Sequence, residues 1–508
     1  MSRAPGFLAI AFALLCGALP ARTAAQDAAL ERGTAITDPA TLRELDGGRF
    51  RLDRMLLPER SADAPLANGA LFDLPSMAPV RQAIDREFDR YVARHRANLP
   101  REAIGVGAGF DFQLFDRTLL YSADTRFVLA GIVNRMDRTY VSEASCGEVR
   151  LIYRLTRINK AAGDDASPPR LPMTLNLVLK AKAVSSAITC AEIANRWLGG
   201  TVSAGGSPLD LIGYENIDRI EINLQIAHAP KSPVRDFRTD YLLKVFRYDR
   251  GARVFAEAPM ENQIDRARLL ADDGLKREFR AWLLDPANLV AFDRGTVLIP
   301  EKFLASGAIA PTPAGFDPSE LEPEFGLMQG EGAVFSETDV VSALRKVAEG
   351  GVKLQNIRSP GGFERRLNDV TCAGCHQTRG IGGFHFPGVD WMADKPSNTT
   401  VVPASPHFFG DQTRRRDVLA SLRDGKSPDY SRGFASRPQL RGSTELAGTS
   451  YYDGWGAHCY VQGKPAAAND ASFRDWTCAD GLTCQPAGKI SRIGMCFIKS
   501  PKALPELC

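Results

Sequence analysis

The chain has 508 residues, with 63 lysines and arginines against 60 aspartates and glutamates and a formal net charge of +3. Hydrophobic residues make up 44% of it and charged residues 24%, as in ordinary globular proteins, which argues against a disordered chain and against membrane spans. The near balance of charge also argues against a nucleic-acid-binding protein, and the length predicts two to four domains.

The first 25 residues have the pattern of a secretory signal peptide. Arg3 supplies the basic start, Phe7 to Leu15 form the apolar stretch, and small residues up to Ala25 offer a cleavage site. A lipoprotein signal would need a small residue before Cys16, and Leu15 is not small, which argues against a lipoprotein. Because the apolar run is shorter than the about 20 residues that span a bilayer, we expect an exported protein without a transmembrane segment, in a bacterial periplasm or at the cell surface.

The next two segments are predicted to be a mixed, partly helical region (26–105) and a β-rich domain (106–258). In the first, Val80, Ile84, Phe88 and Tyr91 recur at helical spacing, which predicts a helix over about Ala78 to Arg96. In the second, apolar residues alternate with polar ones, which predicts half-buried strands in an antiparallel sheet or sandwich with one wet face. The runs start near residues 127, 149, 173, 220 and 241.

Residues 259–440 are predicted to be mainly helical. Apolar residues at helical spacing between Leu275 and Leu283 precede Pro286, and Ser336 with Asp339 form a plausible capping box for a second helix. A further helix is predicted from Thr413 to Leu422. It carries three consecutive arginines (414–416), for which the sequence favours a solvated basic face over a clamp for a propionate or phosphate.

Residues 441–508 hold five cysteines among glycine, aspartate and proline, which predicts a small disulfide-rich C-terminal module. Cys146 and Cys190 flank predicted strands and are expected to pair with each other. Five is an odd number, and Cys508, the last residue, is the candidate for the unpaired thiol. The predicted fold class is therefore α+β: a sandwich-like β-rich region, a helical region and this module.

The most informative stretch is Cys372-Ala373-Gly374-Cys375-His376. This C-x-x-C-H spacing is the attachment signature of c-type haem, because two thiols three residues apart can both add to vinyl groups on one porphyrin edge. The histidine that follows can then reach the iron. The sequence predicts one covalent haem c, bound through Cys372 and Cys375, with His376 as an axial ligand of the iron.

The sixth iron ligand decides what such a haem does. A methionine raises the reduction potential, a second histidine lowers it, and an open position permits peroxide or oxygen chemistry. The downstream candidates are His407, His385 and Met392. Nearby aromatic residues are expected to shield the porphyrin from water or to belong to an ordinary core. They are Phe384, Phe386, Trp391, Phe408 and Phe409.

The window from Thr371 to Gly380 resembles the haem-attachment segment of c-type cytochromes, which implies covalent haem with His376 on the iron. The likeness covers about ten residues of the chain. A compact class I cytochrome c has a methionine several tens of residues after the motif, and this chain matches that pattern poorly. Two other stretches, 132–135 and 405–408, resemble secreted bacterial proteins, and that likeness implies no activity.

Three functions remain open from the sequence. The leading one is a secreted monohaem protein that transfers electrons to or from a partner protein, or senses redox state. The second is a haem-free binding or adhesion protein, in which Cys372 and Cys375 form a disulfide or join His376 and His385 in a zinc site. The third is a haem peroxidase or oxidase, which needs an open iron position and distal acid–base groups. No other catalytic motif was found, and whether the chain is an enzyme stays open.

Overall fold

A computed structural model of the chain describes residues 33–61, 63–158, 170–199, 206–229, 238–312, 327–328, 333–371, 411–431, 458–460, 482–486 and 493–498. The predicted signal peptide (1–25) and the haem-attachment segment (372–376) lie outside these ranges. Within them, a ten-stranded, mainly antiparallel sheet and a three-stranded sheet occur together with eleven α-helices. The prediction of an α+β protein is thereby confirmed.

The large sheet is built around five long strands that follow one another in the chain and pair antiparallel with their neighbours in turn, β4 to β8. Short strands complete it: β1 pairs with β4, β9 and β10 pair with successive parts of β8, and β3 extends along the end of β7 and pairs in parallel with β2. The strands are β1 (Ala35–Ile36), β2 (Ile104–Gly105), β3 (Phe112–Leu114), β4 (Thr125–Arg135), β5 (Glu148–Arg157), β6 (Arg170–Lys180), β7 (Ile217–Ala229), β8 (Arg238–Asp249), β9 (Val254–Ala258) and β10 (Gly307–Thr312).

The sequence alternation produces one apolar face of this sheet. A row of directly paired residues crosses all five long strands, and every member is completely buried, which aligns the branched side chains for packing. The row consists of Ile132, Leu151, Leu177, Ile220 and Phe246. The five predicted strands and their antiparallel pairing are therefore confirmed.

Eleven α-helices are described. They are α1 (Pro39–Gly47), α2 (Leu52–Leu56), α3 (Asn68–Phe72), α4 (Ala78–Asn98), α5 (Cys190–Gly199), α6 (Arg266–Ala271), α7 (Asp273–Leu283), α8 (Pro286–Arg294), α9 (Glu337–Glu349), α10 (Pro360–Asp369) and α11 (Gln412–Arg423). The helices predicted near 78–96, 275–283, 336–347 and 413–422 correspond to α4, α7, α9 and α11. No helix in the described ranges is both long and apolar enough to cross a membrane.

Helix α4 packs beside the sheet, and its buried residues belong to the same hydrophobic core as the apolar face of the sheet. Val80, Ile84 and Phe88 are buried there. At the far end, the hydroxyl of Tyr91 donates a 2.6 Å hydrogen bond to Asp240 on β8. The described part of the segment 26–105 thus shares one core with the strands that follow it.

A second core lies among helices α6 to α10. Phe279 of α7 contacts Phe303 and Phe335, with ring centroids 5.0 and 5.7 Å apart, and Phe335 in turn contacts Phe363 of α10 at 5.2 Å. The capping box at α9 is present as predicted, with Ser336 and Asp339 each accepting from the other's backbone N–H. We call the described residues from 260 to 371, without β10, the helical unit.

The predicted disulfide between Cys146 and Cys190 is present, with the sulfur atoms 2.03 Å apart. In the C-terminal region, three strands form the small sheet: β11 (His458–Tyr460), β12 (Leu482–Pro486) and β13 (Ile493–Ile498). Cys484 on β12 is also disulfide-bonded and lies opposite Cys496 in the strand register. The disulfide state of Cys484 agrees with a cross-linked module, whereas Cys508 lies outside the described residues.

Candidate functional site

The six predicted haem-site residues fall in a part of the chain outside the described residues. Cys372, Cys375, His376, His385, Met392 and His407 all lie between Thr371 and Asp411, where the described chain stops and resumes. The aromatic residues expected beside the porphyrin lie in the same interval. Within the described ranges, no group of three or more histidine, cysteine, aspartate or glutamate side chains could hold a metal ion. The haem assignment therefore stays a prediction.

The chain that leads into the motif is held firmly by a buried carboxylate. Asp293, which is 2% exposed at the end of α8, accepts hydrogen bonds from the backbone N–H groups of Asn356 and Ile357, both at 2.7 Å. Gln355 donates a third one at 2.9 Å. These bonds fix the loop before α10, and α10 ends one residue before the buried Val370. The helical unit thus fixes the backbone up to two residues before Cys372.

Val370 lines a cleft of about 480 Å³ between the sheet and the helical unit. The sheet side is formed by residues on the face opposite the apolar core, and the helical side by the chain around 259–262 and 295–304. Two ion pairs connect the sides: Arg138 with Glu261, and Arg247 with Glu301 at 2.6 Å. Val370, two residues before Cys372, therefore lies at the wall of a charged cleft.

The floor of the cleft is a network of buried ion pairs centred on Glu148. Its carboxylate binds Arg138 at 3.1 Å, Arg150 at 3.2 Å and Arg219 at 3.0 Å. Glu221 on β7 holds the same Arg150 at 3.2 Å and Arg219 at 2.8 Å. Each carboxylate is shared, so its two oxygens accept hydrogen bonds from the planar guanidinium groups of several arginines at once.

The two carboxylates of this network act as fixed negative charges. Burial alone would raise the pKa of Glu148, but Arg219, Arg138 and Arg150 outweigh it and hold that pKa well below its usual value. The pKa of Glu221 is also lowered, since Arg150 and Arg219 oppose the effect of burial. Both groups stay ionised at neutral pH, so neither Glu148 nor Glu221 is suited to act as a general acid.

A second ionic cluster, which we call the arginine cluster, lies beside the first. It comprises Arg135, Asp137, Asp411, Arg414 and Arg415. Asp137 binds Arg135 at 2.8 Å and Arg414 at 2.6 Å, and Asp411 binds Arg414 at 2.8 Å and Arg415 at 3.0 Å. The cluster joins the end of β4 to the first turn of α11, two segments almost 280 residues apart.

Three nitrogens of the arginine cluster are buried with no hydrogen-bond partner among the described residues. They are Nη1 and Nη2 of Arg415 and Nη1 of Arg414. Arg415 as a whole is 2% exposed, and of the three consecutive arginines only Arg416 is exposed. The predicted solvated basic face is therefore wrong for Arg414 and Arg415, because α11 turns these two side chains toward Asp137 and Asp411.

Sequence reasoning missed most of the charged cleft. Glu148, Arg150, Arg219 and Glu221 alternate with apolar residues on their strands, and such alternation is typical of a face open to water. These four side chains are instead buried or nearly so. The sequence does contain one indication of buried ion pairs. Opposite charges stand two residues apart on both β5 and β7, which allows them to pair along and across the strands.

Comparisons with known proteins add no family and no fold relative: no family model matches the chain, and no curated protein or solved structure is significantly similar to it.

Proposed function

We propose that this protein is an exported monohaem c-type cytochrome-like protein that transfers electrons or senses redox state. The proposal starts from the residues Cys372 to His376, whose spacing suits covalent attachment and iron ligation. Bound haem would supply a one-electron couple at its iron. Electron exchange would then take place with a separate redox partner protein.

The single observation that best supports the proposal is the position of Val370. This residue is buried in the core of the helical unit, lines the charged cleft and precedes Cys372 by two positions. The chain two residues before the proposed attachment site therefore lies beside a cleft that the sheet and the helical unit form together. The role of the β-rich region in this proposal is to supply the charged wall of that cleft.

The described residues also fit the ionic part of a haem. Haem carries two propionate carboxylates, and carboxylates are the anions that guanidinium groups bind best with two parallel hydrogen bonds. Arg415 has two buried terminal nitrogens without a partner among the described residues. A polar group of this kind needs an acceptor, and a propionate oxygen is chemically suited to be one.

Export supports the same proposal. The disulfide between Cys146 and Cys190 and the disulfide-bonded Cys484 agree with folding outside the cytoplasm, where such bonds persist. Covalent attachment of haem c also takes place after export. The predicted signal peptide at 1–25, the disulfides and the attachment motif therefore favour one compartment, the periplasm or the cell surface.

The test is an absorption spectrum of the full chain exported together with the haem-maturation machinery, recorded oxidised and after reduction. We expect a Soret band and a sharp reduced α-band, both lost in Cys372→Ala/Cys375→Ala. The matched control is Cys146→Ala/Cys190→Ala, which removes two cysteines elsewhere and should keep both bands. Bound zinc without a Soret band would refute the proposal and favour the haem-free binding protein.

The same spectra identify the coordination of the iron. A low-spin six-coordinate spectrum that becomes high-spin in one of the variants His407→Ala, His385→Ala or Met392→Ala would identify the sixth ligand and support electron transfer. A five-coordinate spectrum in the unmodified protein would instead favour the peroxidase or oxidase hypothesis.

A further inference from the structure

The guanidinium of Arg415 is incompletely bonded. Its Nε donates to Asp411 at 3.0 Å, whereas Nη1 and Nη2 are buried with no acceptor among the described residues. Buried polar groups are almost always paired, and a charged one without its partners is especially costly. Because Nε already donates to Asp411, the two terminal nitrogens form the side of the guanidinium that still lacks acceptors. Their spacing matches that of the two oxygens of a carboxylate.

The charge balance of the arginine cluster leads to the same requirement. Within the cluster, three arginines (135, 414 and 415) face two aspartates (137 and 411), so its own side chains carry one positive charge in excess. Glu148 and Asp429 act on Arg135 and Arg414 from outside the cluster. The two acids that act most on Arg415 both belong to the cluster. Burial, followed by the positive charge of Arg135, lowers the pKa of Arg415 to about 9. It stays cationic at neutral pH, and one singly charged anion would balance the cluster.

The location of the cluster limits what that anion can be. Arg135 ends β4 and is followed by a 3₁₀ turn, Met136–Arg138. Within that turn Asp137 binds Arg414 of the cluster, while Arg138 lines the charged cleft. The opposite wall of this cleft includes Val370, two residues before Cys372. The arginine cluster is thus connected, through this 3₁₀ turn, to the cleft that Val370 also lines.

We propose that Arg415, supported by Arg135 and Arg414, binds a carboxylate, and that this carboxylate is a propionate of the covalently bound haem. The inference rests on the function proposed above. A monocarboxylate balances the cluster with its single charge and fits the free edge of Arg415. A phosphate, with nearly two negative charges, would leave the cluster with an excess of negative charge.

The test compares Arg415→Gln with the matched control Arg416→Gln, which changes the next, exposed arginine of α11. In the haem-loaded protein, Arg415→Gln should lower both the reduction potential and the melting temperature, because a cation near a propionate disfavours the ferric state and holds the haem. Arg415→Lys keeps the positive charge but lacks the two parallel terminal N–H donors, so both quantities should fall by an intermediate amount. Arg416→Gln should change neither quantity.

The haem-free protein provides the distinguishing measurement. In the full chain with Cys372→Ala/Cys375→Ala, Arg415→Gln leaves two arginines facing two aspartates, so the melting temperature should stay the same or rise. A melting temperature that Arg415→Gln lowers in the haem-loaded protein but does not lower in the haem-free protein supports a propionate site. An equal fall in both forms, with an unchanged reduction potential, would show a purely structural arginine and overturn the proposal.

Failure of the haem assignment itself gives a different pattern. If the unmodified protein carries no haem, its melting temperature is measured with sodium acetate and with inorganic phosphate. A rise with acetate that Arg415→Gln abolishes would keep the carboxylate site but overturn the propionate as its occupant. No rise with either anion would overturn the site as well.

Discussion

Replacing Glu148 by glutamine should destabilise the protein strongly, because this carboxylate neutralises three arginines at the floor of the cleft. Its oxygens lie 3.0–3.2 Å from nitrogens of Arg138, Arg150 and Arg219, and all four side chains are at most 16% exposed. Glutamine keeps the shape but removes the charge. The three guanidinium groups then keep Glu221 and two more exposed carboxylates, Asp218 and Glu261.

The magnitude follows from the burial of the network. Removing one partner of a buried ion pair costs about 3–5 kcal/mol, because a desolvated charge is left uncompensated. For a domain of 150–250 residues this corresponds to a fall in melting temperature of roughly 6–20 °C. The assay is thermal unfolding followed by near-ultraviolet circular dichroism. The matched control is Glu301→Gln, which breaks an exposed pair with Arg247 at the same cleft and should cost less than about 1 kcal/mol.

The pH dependence provides an independent check of the same reasoning. The folded protein holds the pKa of Glu148 well below the usual value of 4.5, so its stabilising effect is fully present above about pH 4.5. It is lost as the pH falls through the lower, folded-state pKa. The difference in stability between the unmodified protein and Glu148→Gln should therefore narrow in acid. A fall in melting temperature no larger than that of Glu301→Gln would show that Glu148 stabilises the protein no more than an exposed ion pair does.

Three further substitutions test local parts of the fold. Cys146→Ala/Cys190→Ala opens a loop of 44 residues, which should cost about 4 kcal/mol in denaturant unfolding; equal stability with and without reductant in the unmodified protein would contradict this. Tyr153→Phe removes a buried hydroxyl that donates to the carbonyl of Phe50 at 2.7 Å, with an expected loss of about 1 kcal/mol by the same assay. Gly147→Ala should lower the melting temperature, because Gly147 has a φ of +82° and a Cβ would lie 2.6 Å from a backbone oxygen; an unchanged melting temperature would disprove it.

The elements that the sequence predicted correctly are those with a long, regular pattern. Alternation over many residues around Ile220 predicts β7, and helical spacing from Leu275 to Leu283 predicts α7. Strand β1 has only two residues, Ala35 and Ile36, so it has no periodicity to detect and depends on pairing with β4. The strands β2 and β3 are likewise too short to show a periodicity, and they depend on pairing with each other and with β7.

The ionic clusters could not be predicted because burial of a polar face is decided by distant parts of the chain. Arg150 has the sequence context of a residue facing water, and its burial depends on what packs over the sheet. Arg414 and Arg415 belong to an arginine run that is typically solvated. Their partner Asp137 is 277 residues away from Arg414, which no local pattern reveals.

The proposed function requires covalent attachment of a haem to Cys372 and Cys375. It is tested most directly by the intact mass of the exported full chain after denaturation, measured beside Cys372→Ala/Cys375→Ala. Thioether-bound haem survives denaturation, so we predict that the unmodified chain has the mass of the polypeptide without residues 1–25 plus one haem. The double variant should have the mass of the polypeptide alone. A chain produced with active haem-maturation machinery that lacks the added mass would show that the protein carries no covalent haem and would overturn the proposed function.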